Sequence, residues 1–209
     1  MRMLLLLPVV VFAQSACSLG GPSQPARFYA LSVHAGEPVT PASAEREQSI
    51  GVGPVSLPEL FERPQIVTRP DANRVELGEF ERWGGSLDED IKRVLVQNLM
   101  SRLNTDNVLA WPWPRQEIPA LQVAVRFFRF DGVPGKQAHL SGSWQLLDGN
   151  AGCRLEVHRF DITRVPSGPG YEAFVNALSL GLAQLSQDMA QRLAVTGPGC
   201  PRSSDSLQK

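Results

Sequence analysis

The stretch LQVAVRF at residues 121–127 alternates apolar and polar side chains, and LSGSWQL at 140–146 and CRLEV at 153–157 continue the same pattern. An alternation with a period of two predicts β-strands that turn one face toward a core. The sequence DGN at 148–150 is typical of a tight turn between two such strands. We therefore expect a three-stranded meander in this part of the chain.

Two long amphipathic helices flank the meander in the sequence. Ser86, with Glu89 three residues later, has the pattern of a capping box at the start of the first helix, which we expect to end near Asn104. The second helix is predicted from Tyr171 to about Val195. Apolar residues recur at helical spacing in both, as Ile91, Val94, Leu95, Leu99 and Leu103 in the first and Phe174, Leu178, Leu182, Leu185, Met189 and Leu193 in the second.

Short apolar segments before the first helix predict further strands at 28–33, 50–57 and 64–69, and a pair of short strands within 73–80. Strands, a helix, a meander and a helix in this order predict an α+β fold. We expect a two-layer sandwich, with a mainly antiparallel or mixed sheet and two long helices packed on one face.

Composition restricts the class of protein. The 209 residues are 43% hydrophobic and 20% charged, with a formal net charge of -1. These values exclude collagen, a coiled coil and a fully disordered chain. The single short apolar run excludes a polytopic membrane protein, and the near-zero charge argues against nucleic acid as a partner. We expect one α/β domain at 27–196 and a mobile C-terminal tail at 197–209.

The N-terminus has the features of a secretory signal. Arg2 precedes an apolar run of ten residues at 4–13, which suits a signal peptide and is too short to span a bilayer. Pro8 within the run disfavours the alternative of a buried core helix. We therefore predict a signal peptide at 1–16.

Cys17 follows the small residues Ser15 and Ala16 and resembles the cysteine of a bacterial lipobox. This predicts lipidation of Cys17, with acyl chains such as palmitate, and a flexible tether at 17–26. Gln14 stands where the usual pattern has leucine, so simple signal-peptide cleavage is the alternative. Ser18 after the cysteine resembles outer-membrane lipoproteins, which implies a lipid anchor on the periplasmic face of that membrane.

Cys153 and Cys200 are the two cysteines left if Cys17 carries lipid. An exported chain enters an oxidising compartment, where structural disulfides form and persist. Cys153 stands at the start of a strand, and Cys200 lies in a GPGCP segment that can bend back toward it. We predict a Cys153–Cys200 disulfide, with two unpaired thiols as the alternative.

The sequence contains no metal-protease, nucleophile-elbow, phosphate-loop or dinucleotide motif, and we expect neither an enzyme nor a cofactor. The apolar phase slips at His158 and Arg159, which predicts a β-bulge there. If the hairpin turns at Gly149 and Asn150, His139 and His158 are expected to lie diagonally on the same face of neighbouring strands. They could begin a metal site, but ordinary exposed strand residues are the favoured interpretation, and no metal is predicted.

Trp111 and Trp113 stand in the unusual sequence WPWP at 111–114. Exposed aromatic rings commonly anchor interfaces, so both are candidates for partner contact. The alternative is that the rings cover the edge of the core.

Several segments together are similar to one family. The chain resembles the PqiC/YmbA-type lipoproteins, auxiliary components of ABC-type transport systems that have an MCE-domain subunit. The resemblance is densest over 50–87. It is carried by FYAL at 28–31, IGVGPVSLP at 50–58, RPQIVTR at 63–69, RW at 82–83 and the LS pairs at 178–179 and 185–186.

The resemblance implies a function in moving lipids between the inner and outer membranes and in maintaining envelope integrity. It implies an MCE-domain subunit as partner and a possible homo-oligomeric ring. Two alternatives stay open: a periplasmic lipoprotein hydrolase with a site assembled by folding, and a stand-alone envelope assembly factor.

Arg63, Arg69 and Arg82 lie in the stretch that carries most of this resemblance. Arginine suits protein interfaces because its planar guanidinium offers several hydrogen-bond donors. We therefore predict that these three residues contact the partner or a sister subunit. Local ion pairing of Arg63 with Glu59 or Glu62 is the alternative.

Overall fold

The computed structural model describes residues 24–40 and 48–200. The predicted signal peptide, Cys17 and most of the tether lie outside the described residues, as do 201–209. Within the described part, no helix has the length and apolar character needed to cross a membrane.

The described chain contains eight strands, a short 3-10 helix and two long helices. The elements, in chain order, are β1 (Arg27–Tyr29), β2 (Ile50–Ser56), the 3-10 helix (Glu59–Phe61), β3 (Gln65–Asp71), β4 (Arg74–Trp83), α1 (Leu87–Leu103), β5 (Val108–Ala110), β6 (Leu121–Val133), β7 (Gln137–Asp148), β8 (Arg154–Arg164) and α2 (Tyr171–Leu193).

The strands form two sheets, and the predicted α+β class with mixed pairing is confirmed. The larger sheet has the order β5-β2-β6-β7-β8, and its last three strands are the predicted antiparallel meander. The smaller sheet has the order β1-β4-β3. Parallel pairs join β2 to β5 and β6, and β1 to β4. Since parallel strands need long crossovers, these pairs join segments that are distant in sequence.

The two helices pack against each other on one face of the larger sheet. Helix α1 covers β2 and β5, and α2 covers β7 and β8. Leu95, Leu99, Phe127, Leu178 and Leu182 are almost completely buried between the layers. Burial of each such side chain contributes about 1.5–3 kcal/mol to folding.

The start of α1 differs from the predicted capping box. The Ser86 hydroxyl makes no hydrogen bond to the helix backbone but donates to the Asp88 carboxylate, and Glu89 pairs with Lys92. The Asp88 carboxylate takes the place of the helix backbone as the partner of the serine hydroxyl. The acidic residues of the first turn therefore stabilise the helix mainly through their charge at the positive end of its dipole. The predicted end is confirmed, because Asn104 adopts the left-handed conformation directly after the helix.

Two strand predictions were wrong in detail. The pair of short strands expected within 73–80 is the single ten-residue strand β4. The β8 bulge lies at Leu155, where Leu146 pairs with Glu156 and Leu147 with Arg154, and not at His158–Arg159. The turn after β7 sets the register of β8, because the Asp148 amide donates to the Cys153 carbonyl before the regular pairing begins.

The segment after β1 crosses the two helices instead of continuing as a strand to residue 33. Its backbone amides find partners on α1: Leu31 donates to the Asp90 carboxylate at 2.7 Å and His34 to the Asn98 side chain at 3.0 Å. Asn98 is fully buried and also donates to the Ser186 hydroxyl of α2. Side chains of the helices therefore replace the pairing that a longer strand would need.

Candidate functional site

The five residues predicted for partner contact lie in three separate places. Arg63 and Arg82 are neighbours at one end of the smaller sheet, because Gln65 pairs with Arg82 and the Trp83 amide donates to the Pro64 carbonyl. Arg69 lies toward the opposite end of β3. Trp111 and Trp113 lie at the outer edge of the larger sheet, after β5.

Arg63 lies beside an open cavity of about 500 Å³, between the 3-10 helix and the start of α1. Its Nε donates to the Leu60 carbonyl at 2.8 Å. Among the described residues it forms no ion pair with Glu59 or Glu62, so the alternative of local ion pairing is not observed. The cavity is lined by Leu57, Phe61, Glu62, Arg63, Pro64, Gly85, Ser86, Leu87 and Asp88.

Arg82 lies in β4 between Phe28 of β1 and Gln65 of β3. Phe28 is 67% exposed, which is unusual for a large aromatic side chain. The Arg82 Nε is buried and has no hydrogen-bond partner among the described residues. A buried donor without a partner costs about 1–3 kcal/mol, so an acceptor supplied by another molecule would be stabilised here.

Arg69 is held by a buried carboxylate. Its Nε donates to Asp131 Oδ2 at 2.7 Å, and Arg129 Nη2 donates to Asp131 Oδ1 at 2.7 Å. The Asp131 side chain is 0% exposed, whereas Arg69 and Arg129 are 23% and 34% exposed. Two guanidinium groups on one carboxylate leave a net positive charge at a partly open position.

The tryptophan pair lies over the two glycines of β2. The rings meet edge to face with centroids 5.0 Å apart, and the Trp111 amide donates to the Val52 carbonyl. A Cβ at Gly51 would lie 2.7 Å from the Trp113 ring, and one at Gly53 would lie 2.5 Å from the Trp111 Cβ. The rings therefore cover the edge of the core, and Trp111 remains 41% exposed.

The expected placement of the two strand histidines was wrong. His158 lies opposite Trp144 and stacks on its ring at 4.3 Å, on the side of the helices. His139 lies on the other face of the sheet, with its Nε2 2.8 Å from Asp161. The bulge at Leu155 reverses the faces that the sequence alternation predicts. In the parts of the chain that the structure describes, no three His, Cys, Asp or Glu residues are grouped to hold a metal.

Sequence reasoning missed the cluster that fixes β1. Glu81 is buried in β4, and its carboxylate accepts hydrogen bonds from the Arg27 guanidinium and the Tyr29 hydroxyl. Burial would raise the pKa of Glu81, but these hydrogen bonds outweigh it, and the pKa lies below its usual value. Burial, and then the bond to Glu81, raise the pKa of Tyr29 to about 12. The sequence does not single out Glu81, because the same strand also contains Glu76 and Glu79.

A disulfide joins Cys153 and Cys200 in the structure, with the two Cα atoms 6.0 Å apart. The Gly199 amide donates to the Asp148 carboxylate at 2.8 Å, so the chain after α2 lies against the turn between β7 and β8. The part of the predicted mobile tail up to Cys200 is therefore attached to the domain at two points.

Comparison with known proteins gives a family match over most of the chain. A family model described as "ABC-type transport auxiliary lipoprotein component" matches residues 29–190. The match begins at the end of β1 and ends three residues before the end of α2 at Leu193. No curated protein matches the sequence.

Solved structures share the fold. A crystal structure of an uncharacterised protein superposes with a TM-score of 0.66 at 20% identity, over 81% of this chain and 99% of the other. A Xanthomonas campestris protein of the DUF330 family superposes with a TM-score of 0.64 at 18% identity, over 80% of this chain and 95% of the other. At these identities the likeness shows the fold alone.

Proposed function

We propose, from the premise that this chain belongs to the family of ABC-type transport auxiliary lipoprotein components, that it is the outer-membrane-anchored periplasmic subunit of an MCE-type transport system. In this function it docks the lipid conduit at the outer membrane, supports envelope integrity and performs no catalysis itself. The observation that carries the proposal is the family match over residues 29–190, which spans nearly the whole described domain.

The docking surface that we propose consists of Arg63, Arg82 and Phe28, with the cavity beside them. This docking surface combines a large exposed aromatic ring with two arginines: within residues 24–40 and 48–200, the buried Arg82 Nε has no hydrogen-bond partner and Arg63 forms no ion pair. Aromatic residues and arginine are enriched at the centres of protein interfaces. The MCE-domain subunit is the proposed partner at this docking surface, and a sister subunit of a homo-oligomeric ring is the alternative.

Co-purification from detergent-solubilised envelopes tests the proposal. A tagged wild-type chain is expected to recover an MCE-domain subunit and its ATPase, whereas Arg63→Glu combined with Phe28→Ser recovers at least tenfold less. Arg154→Glu, an exposed arginine at the start of β8, is the matched control. Thermal unfolding of each variant separates a lost interface from a lost fold. Equal recovery with a folded double variant would contradict the docking surface, and absence of any transporter subunit with the wild type would contradict the function.

Metabolic labelling with a fatty-acid analogue tests the proposed anchor at Cys17. We expect the wild type to be labelled and to fractionate with the outer membrane, and Cys17→Ala to remain unlabelled. Equal labelling of the two chains would reject Cys17 as the lipidated residue.

A further inference from the structure

One end of the molecule is formed by the turn between β3 and β4, the turn between β6 and β7, and the end of β8. The register brings them together, because Val133 pairs with Gln137 across the second turn and Ala138 pairs with Arg164 at the end of β8. The ion pair of Arg69 with Asp131 joins the end of β3 to the end of β6, next to the two turns. We call this region the strand-end surface, formed by Arg69, Arg74, Val75, Leu77, Arg129, Lys136, Arg164 and Val165.

The strand-end surface contains an open polar cavity of about 520 Å³. Arg69 and Arg129 line it, and the buried Asp131 holds both guanidinium groups in place. Asp131 neutralises one of the two charges, and Asp71, which also lines the cavity, is paired with Arg74. The cavity therefore offers fixed donors and an excess of positive charge at Arg69 and Arg129. A phosphate group fits this chemistry, because guanidinium binds phosphate oxygens through pairs of N–H groups.

Exposed apolar side chains lie on or next to the strands at the same end of the molecule, outside the cavity lining. Val75 is 38% exposed, Leu77 is 43% exposed and Val165 is 77% exposed. Lys136 and Arg164 are also exposed. Arg74 forms ion pairs with Asp71 and Glu76, so the acidic side chains at the tip of the first turn are balanced in part. Apolar and basic side chains on one surface are the combination that binds the interface of a phospholipid bilayer.

The direction of the chain before β1 indicates what this surface faces. Because β1 runs parallel to β4, with Arg27 opposite Glu81, a chain that enters β1 comes from the side where β4 begins. Arg74 is seven residues before Glu81, or about 23 Å at ~3.3 Å per strand residue. Cys17 is ten residues before Arg27, which allows an extended length of at most about 36 Å. A lipid anchor at Cys17 thus lies within reach of the strand-end surface.

We propose that the strand-end surface rests on the phospholipid bilayer to which Cys17 anchors the chain, and that Arg69 and Arg129 bind the phosphate of a lipid headgroup. This proposal depends on the lipid anchor of the proposed function. It gives the anchored domain a fixed orientation: the strand-end surface faces the membrane, and the docking surface, at the other end of the smaller sheet, faces the periplasm.

Site-specific photocrosslinking of the acylated full-length chain tests the proposal. The protein is purified from membranes with p-benzoylphenylalanine in place of Leu77, and is reconstituted into vesicles of phosphatidylethanolamine and phosphatidylglycerol at 7:3. Irradiation is expected to yield a phospholipid adduct, detected by intact mass. The same photoreactive residue in place of Val195, which is 60% exposed after α2, is the matched control and should give at least tenfold less adduct.

A second variant tests the arginine pair. Arg69→Gln, Arg129→Gln and Asp131→Asn together remove the charge and keep hydrogen-bonding groups, so that no buried carboxylate is left unpaired. We expect the adduct yield at residue 77 to fall about tenfold, and the Arg154→Gln control to retain the wild-type yield. Equal yields in the folded triple variant would overturn the headgroup site.

The outcomes separate this inference from the proposed function. Intact mass shows independently whether Cys17 is acylated. An acylated chain that gives equal adduct at residues 77 and 195 overturns the membrane-facing orientation while the anchor stands. An adduct in cells to a transporter subunit or to a second copy of the chain, in place of phospholipid, would make the strand-end surface a protein interface and would also overturn the proposal. A chain without acyl groups overturns the anchor and, with it, the inference.

Discussion

Replacing Glu156 by Gln tests how β8 is joined to the end of α2. The Glu156 carboxylate accepts hydrogen bonds from Arg192 Nε at 2.9 Å and Nη2 at 2.7 Å, and from the Thr196 hydroxyl at 2.9 Å. His158 Nε2 lies 2.6 Å from the same carboxylate. Glu156→Gln removes the charge and retains the approximate shape, so the variant isolates the electrostatic part of this contact.

The expected size follows from the pKa. The hydrogen bond from Arg192 is the main cause that lowers the pKa of Glu156 to about 2, and the bonds from His158 and Thr196 add to it, against the opposing effect of burial. Relative to an ordinary value near 4.5, this corresponds to at most ~3 kcal/mol of stability at neutral pH, at about 1.4 kcal/mol per pH unit. Arg192 is 45% exposed, so solvent screening reduces the expected contribution to about 1–2 kcal/mol.

The pH dependence has a definite sign. The folded-state pKa lies below the unfolded-state value, so the unfolded chain takes up the proton first as the pH falls. The contribution of Glu156 is therefore complete above about pH 4.5 and is lost progressively as the pH falls toward about 2.

Urea unfolding at pH 7, 5, 4 and 3 measures the effect as the difference in unfolding free energy between the wild type and Glu156→Gln. We expect this difference to be largest at pH 7 and 5 and to decrease by about half or more at pH 3, where Glu156 is protonated in the unfolded chain but still mostly ionised in the folded one. Glu79→Gln, at an exposed position of β4, is the control and should change stability by less than ~0.5 kcal/mol. A difference that is constant over this range, or absent at pH 7, would refute the electrostatic explanation.

Three further predictions concern stability. Alkylation of the periplasmic protein before reduction is expected to modify neither Cys153 nor Cys200, and two alkylations without reductant would show that the disulfide is absent. Cys200→Ser should lower the unfolding free energy by up to ~4 kcal/mol, because the disulfide closes a loop of 47 residues. Asn98→Ala should cost about 2–3 kcal/mol in urea unfolding, because it leaves the His34 amide without its acceptor and removes the hydrogen bond to Ser186, whose hydroxyl keeps only its bond to the Leu182 carbonyl; an unchanged midpoint would contradict this. Gly142→Ala should reduce the thermal midpoint by several degrees, because the alanine Cβ would lie 2.2 Å from the Arg126 carbonyl oxygen. An unchanged midpoint would show that β6 and β7 accommodate the methyl group without loss of stability.

Several elements could be predicted from the sequence because their signals are local. The apolar stripes fixed the extent of α1 and α2 to within about two residues, since each stripe must lie on one side of its own helix. The alternation in 121–127 and 140–146 predicted β6 and β7 for the same reason. The proposed disulfide partners were also open to prediction, because three cysteines, one of them at a lipobox, leave a single pair.

Other features depend on register and on contacts between distant segments. The bulge at Leu155 places His158 beside Trp144, on the sheet face opposite to that of His139. The apolar alternation alone placed the bulge at His158–Arg159 and therefore predicted the wrong face. The parallel pairing of β1 with β4 brings Arg27 and Tyr29 to Glu81 across more than fifty residues. No pattern within either strand predicts this pairing, because the two strands are far apart in the sequence.

The candidate arginines also show which features local sequence determines and which depend on contacts between distant segments. The sequence determined that Arg63, Arg69 and Arg82 stand on short strand-like segments of one stretch, and therefore grouped them as one contact region. The tertiary structure separates them, because β3 carries Arg69 away from Arg63 to the far end of the sheet, where the last part of β6 supplies Asp131. The neighbouring sequence determines which residue stands at a position and its local conformation. The groups that surround a charged side chain come from distant parts of the chain. These groups determine whether the charge is paired or free to bind a partner.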